Sequence, residues 1–83
     1  MTTATRKIAQ IVCKETGRGH MIFNDRLVDG TRSLKVWGWR QAEYKAAKAL
    51  LESIGCKATL VEEDKYSARA GRSFTMRRLH VQE

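Results

Sequence analysis

Between Arg40 and Ile54 the apolar residues recur at helical spacing, and one glycine, Gly55, separates them from a second pattern, the alternation of Cys56 to Glu62. Ala46, Ala47, Leu50 and Ile54 form one stripe of the predicted helix, while Lys45, Lys48 and Glu52 lie elsewhere on its surface. Gly55 suits the left-handed stop of such a helix. In the strand that follows, Cys56, Ala58 and Leu60 alternate with Lys57, Thr59 and Val61. A helix that turns directly into a strand points to a helix laid on the face of a sheet. At 83 residues the chain has material for one thin core. It has no proline, repeat or low-complexity stretch, so a single domain over residues 1–83 is expected, with Met1 to Thr5 as a frayed start.

Upstream, Lys7 to Glu15 (KIAQIVCKE) reads as a strand that turns Ala9, Ile11 and Cys13 to the core and Ile8, Gln10, Val12 and Lys14 away from it. Thr16 to His20 (TGRGH) then makes a turn, and Met21 to Asn24 begins a second strand. Asp29-Gly30 is the strongest turn dipeptide, and Ser33 to Trp39 resumes alternation as a third strand, with Leu34, Val36 and Gly38 opposite Ser33, Lys35, Trp37 and Trp39. Past the acidic run Glu62, Glu63 and Asp64, expected as a solvated turn, the signal weakens until a last strand over Ser73 to Gln82. There Phe74 and Met76 share one parity and Leu79 and Val81 the other. Either a bulge near Arg77 reconciles them, or half the strand faces something other than the core. That strand pairs within the chain or with a second copy in a homodimer. The expected fold is α+β, one antiparallel sheet packed on one long helix in the order β-β-β-α-β-β.

Sixteen Lys and Arg against nine Asp and Glu leave a net charge of +7. The excess sits at the ends: +5 from Met1 to Gln41, −1 from Ala42 to Lys65 and +3 from Tyr66 to Glu83. A polyanionic partner is favoured, with the phosphate backbone of nucleic acid ahead of an acidic protein surface or an anionic membrane. No apolar run is long enough to cross a bilayer and the N-terminus lacks the apolar core of a signal peptide, so a cytoplasmic location is expected. Cys13 and Cys56 read as free thiols within apolar runs rather than a bridge.

If Leu34 and Val36 face the helix, alternation sends Lys35, Trp37 and Trp39 to the other face of the sheet. Large indoles in water need a reason. Trp39 has one, since it can fold back on the first helical turn near Glu43; alternatively Gly38 marks a bulge that turns one indole inward, or the C-terminal segment wraps over the face. The functional reading takes the rings together with Arg32, Lys35 and Arg40 as a platform on which cations hold phosphates and a flat ring stacks a base. The same composition describes a protein interface hot spot. ARAGRSFTMRR, Ala68 to Arg78, places Arg69, Arg72, Arg77 and Arg78 along a hairpin, where positive charge also deters edge-to-edge pairing. Arg18 and His20 in GRGH are possible loop contacts, weighed against an ordinary turn.

Catalysis needs a nucleophile or an acid-base pair in a recess. His20 and His80 are the only histidines, and with Cys13 and Cys56 they stand at no spacing typical of zinc sites. GRG lacks the third glycine of a dinucleotide loop, and no phosphate-binding GKS or GKT occurs. A non-enzymatic protein without metal or cofactor is expected.

The order strand, strand, strand, helix resembles the three-stranded-sheet DNA-binding domains of phage integrases, a likeness that implies a reading face of Arg32, Lys35, Trp37 and Trp39 in the major groove. In size and element order the whole chain also resembles small bacteriophage proteins that disable host machinery, including anti-CRISPR proteins and inhibitors of host RNA polymerase. That resemblance implies an inhibitor of a host protein complex in the host cytoplasm, and the basic charge of this chain favours either binding the nucleic acid itself or docking on an acidic patch of that complex. The leading expectation is nucleic-acid binding, DNA above all, through a basic and aromatic sheet face; the alternative is the phage or mobile-element inhibitor.

Overall fold

The structure, a computed structural model, describes residues 3–83. Thr3 sets the first element: its backbone is extended and its Oγ1 accepts the Arg6 N–H at 3.2 Å, which starts helix α1 (Ala4–Thr16). The strand expected over Lys7 to Glu15 is therefore a helix. Thr5, Ile8, Ala9 and Val12, spaced as one helical face, are buried, whereas Ile11, expected inside, is 44% exposed. The run fits both periods over so short a window, and the cap at Thr3 with a stop at Gly17 decides between them. Thr5, expected in a frayed start, is fully buried, and its N–H and hydroxyl both donate to Glu83 Oε1, at 2.8 and 2.6 Å. Met1 and Thr2 of that expected start lie outside the described residues.

Strands β1 (Met21–Arg26) and β2 (Arg32–Trp37) form the hairpin that the Asp29-Gly30 dipeptide announces. Leu27 N–H donates to the Thr31 carbonyl at 2.8 Å, and Asp29 Oδ1 accepts from both the N–H and the hydroxyl of Thr31. The Thr31 hydroxyl, then its N–H, hold the Asp29 carboxyl below its usual range. Helix α2 (Gln41–Ser53) follows, rotated from the expected stripe. Tyr44, Ala47 and Leu51 are buried, with Glu43 beside them, while Ala46 and Ile54 are exposed.

Strands β3 (Lys57–Ser67) and β4 (Arg72–Gln82) pair in unbroken register from Lys57–Gln82 to Ser67–Arg72, so no bulge occurs at Arg77. Leu79 and Val81 face the core, and Phe74 and Met76 the opposite side. The acidic run is strand, not turn: Glu62 pairs with Arg77 at 3.2 Å and Glu63 with Arg78 at 2.9 Å. The hydrogen bond from Arg78, then its charge, holds the Glu63 carboxyl below its usual range.

The sheet is antiparallel in the order β1-β2-β4-β3. The α+β class stands, but the order is α-β-β-α-β-β and the single long helix is replaced by two of 13 residues each. The helices touch each other and lie on the same side, α1 against β1 and β2, α2 against β3 and β4. Between them and the sheet sit Val12, Leu34, Leu51, Leu79 and Val81, all essentially without solvent contact. Cys13 and Cys56 are half-buried and unbridged. Among the described residues no helix is long and apolar enough to cross a membrane.

Candidate functional site

Both helices take one face, so the residues of the other alternate outward: Met21 and Phe23 on β1, Lys35 and Trp37 on β2, Phe74, Met76 and Arg78 on β4. Trp37 is 55% exposed, and Met21, Phe23 and Phe74 are exposed as well. An aromatic and thioether surface thus lies open on a chain with a net charge of +7.

Trp39 does not belong to it. Gly38, at φ 92°, takes a conformation that other residues resist and breaks the alternation, and the second indole turns inward to 7% exposure. Its ring meets Tyr44 edge-on at 5.1 Å and its Nε1 donates to the Arg18 carbonyl at 3.1 Å. Gly19 lies so close that an added Cβ would fall 2.5 Å from Trp39 Nε1. The expected loop contact Arg18 pairs its guanidinium with the buried Glu43 carboxylate at 3.4 Å. Arg18 and Trp39 are therefore a latch between the loop and α2 rather than a reading surface. His20 remains exposed beside Gly38.

The arginines divide. Arg32 shares the parity of Leu34 and Val36, not of Lys35 and Trp37, and faces Glu83 at 4.0 Å. Burial alone would raise the Glu83 carboxyl, but the hydrogen bonds from Thr5 and the charge of Arg32 bring it below its usual range. Arg77 points to the helix side, where Glu62 also accepts from Gln41 of α2 at 3.0 Å. Arg78 is on the outer face but tied to Glu63. Lys35, Arg40, Arg69 and Arg72 form no ion pair among the described residues. Arg40 is exposed at the start of α2, and Arg69 and Arg72 lie at the β3–β4 turn. The structure joins Lys35, Trp37 and Arg78 into one surface and leaves Arg32 and Trp39 off it.

Phe23, Phe74 and Met76 complete this surface, and sequence reasoning did not name them as contacts. Their signal was present in part: the parity of Phe74 and Met76 excludes them from the side of Leu79, whereas Phe23 falls opposite Lys35 because the turn holds three residues, Val28 to Gly30. A cavity of about 290 Å³ opens here, lined by Phe23, Lys35, Trp37, Met76 and Arg78 among others.

The cavity has a cause in the backbone. The β2–β4 ladder covers only Arg32–Val81, Ser33–His80 and Leu34–Leu79, although β2 runs on to Trp37 and β4 reaches back to Arg72. Two residues past Leu34, the Val36 N–H donates to the Tyr44 hydroxyl at 3.1 Å, and that hydroxyl donates to the Val36 carbonyl at 3.3 Å. Tyr44 replaces β4 as the partner of Val36, and the strands part. Burial pushes the Tyr44 hydroxyl above its usual range, so it keeps the proton it donates.

Among the described residues no three His, Cys, Asp or Glu side chains converge to hold a metal. Comparison with protein-family models, curated proteins and solved structures found no match for the chain.

Proposed function

We propose that the chain binds single-stranded nucleic acid on the outer face of its sheet and performs no chemistry on it. The observation that carries this reading is Trp37, an exposed indole beside Lys35, a cation without an acid partner among the described residues. Phe23 and Phe74 extend the apolar surface across neighbouring strands. Rings on adjacent strands of a sheet stack unpaired bases, and flanking cations hold the phosphates between them. A duplex hides its base faces, so this surface suits a single strand better. The reading face that an integrase-like order implied loses its basis, because the first element is a helix and Arg32 and Trp39 are turned away.

Titration of labelled single-stranded DNA and RNA, with a duplex of the same sequence alongside, tests the proposal. Binding of the single strands that weakens steeply with salt is expected, with quenching of Trp37 emission and much weaker duplex binding. Trp37→Ala should cost roughly tenfold in affinity, about the value of one stacked base. Absence of binding at low salt overturns the proposal. A stoichiometric protein complex that survives nuclease treatment would favour the inhibitor reading instead.

A further inference from the structure

We infer that the split between β2 and β4 is a pocket for one unstacked base of the bound strand, an inference that rests on the nucleic-acid reading above. The hairpin β1–β2 fixes which way the backbone points. Its hydrogen-bonded pairs start at Leu27–Thr31 and continue at every second pair, so Leu34 and Val36 aim their N–H and C=O groups at β4. Leu34 finds Leu79, whereas Val36 finds the Tyr44 hydroxyl. The opening thus leaves no polar group of Val36 unsatisfied on the β2 side.

On the other side, Thr75 and Arg77 share the backbone direction of Leu79, but no strand lies beside them there. Their N–H and C=O groups face the gap as donors and acceptors, the kind of groups that read the edge of a base. Around them stand the Trp37 indole, the Met76 thioether and Lys35, which has no ion pair among the described residues. The outer cavity of about 290 Å³ and an adjoining one of about 250 Å³ share Lys35, Trp37, Met76 and Arg77. Ligand pockets run from roughly 300 to 1,000 Å³, so this one suits a single planar base and not a larger ligand. Asp25 also lines the outer cavity, where it repels a phosphate and leaves Lys35 as its seat.

The test uses the full ¹⁵N-labelled chain with hexamers of uridine and of deoxyuridine, and a sugar-phosphate hexamer without bases as control. Base-bearing hexamers should move the amide signals of Thr75 and Arg77, and the control should not; a response to only one sugar type assigns the pocket to RNA or to DNA. Ser33→Phe, which fills the split from the outer face and spares Trp37 and Lys35, should cost roughly tenfold in hexamer affinity. Hexamers that quench Trp37 yet leave Thr75 and Arg77 unmoved, or bind Ser33→Phe as tightly as the parent, overturn the pocket and leave the platform standing. No hexamer binding at all overturns both. Movement of the same amides by an acidic extended peptide alone makes the split a strand-addition site and removes the base from it.

Discussion

Tyr44 shows how one hydroxyl decides the shape of a sheet. It sits on the first turn of α2 and reaches the strand edge, where it both accepts from and donates to Val36. Phenylalanine there keeps the edge-on contact with Trp39 and strips the Val36 N–H of its partner, while the Val36 carbonyl keeps the Trp39 N–H at 3.4 Å. Tyr44→Phe is therefore expected to lower stability by about 1–3 kcal/mol, the cost of one unsatisfied buried donor, as read by urea denaturation. Glu83 is a second such residue, a carboxylate set on the N-terminal turn of α1 where the helix dipole favours negative charge. Glu83→Gln should cost about 1 kcal/mol at neutral pH. Because the folded carboxyl titrates below its unfolded counterpart, its contribution is complete above the ordinary carboxylate range and is lost as pH falls through the depressed value. The stability difference between parent and variant should accordingly shrink from neutral pH towards pH ~3. A difference that stays constant with pH excludes the charge as its origin.

Element by element, α1 is where local pattern and tertiary packing part company. As a strand, KIAQIVCKE would bury Ile11; as a helix it buries Val12 against the sheet and leaves Ile11 in solvent. Val12→Ala is expected to cost about 2 kcal/mol and Ile11→Ala less than about 0.5 kcal/mol, and the reverse ranking in thermal or urea unfolding would restore the strand. The cap that settles the matter, Thr3 with Arg6, precedes the alternating segment, so the signal is legible but lies outside that window. The β1–β2 turn is legible in Asp29-Gly30, but its register is not: a two-residue turn would set Val28 opposite Thr31, whereas Leu27 meets Thr31 across the three residues Val28, Asp29 and Gly30. Parity gives the side on which Trp37 lies but not its exposure, since a bulge at Gly38 or a C-terminal segment over that face would bury it. Trp39 stays open between two readings in the sequence, since Gly38 permits a break in alternation without requiring one. The β2–β4 split lies beyond any local pattern: it depends on Tyr44 meeting a strand edge eight residues earlier in the chain, and on β4 crossing to lie between β2 and β3.

Across the whole molecule, the positive charge is divided between cations already answered by carboxylates and cations left free. The β3–β4 ladder continues well past the last β2–β4 pair, so its far half extends as a two-stranded arm with Arg69 and Arg72 at its end. On the proposed reading, Arg69 and Arg72 contact phosphates and release counterions on binding, whereas Arg78 brings Glu63 with it and displaces fewer. For a single strand the slope of log affinity against log salt is shallower by about 0.7 for each phosphate that the protein no longer neutralises. The double variant Arg69→Ala/Arg72→Ala should therefore flatten that slope by about 1.4, with Trp37 quenching at saturation unchanged because the stacking surface is intact. Arg78→Ala should flatten it by less than half as much, since the side chain removed was already neutralised by Glu63. Titrations at four or more salt concentrations separate the two cases. Equal slopes for the parent and the double variant place the arm outside the contact surface, and an Arg78→Ala effect of about 0.7, the full value for one phosphate, shows that the cross-strand ion pair opens when nucleic acid binds.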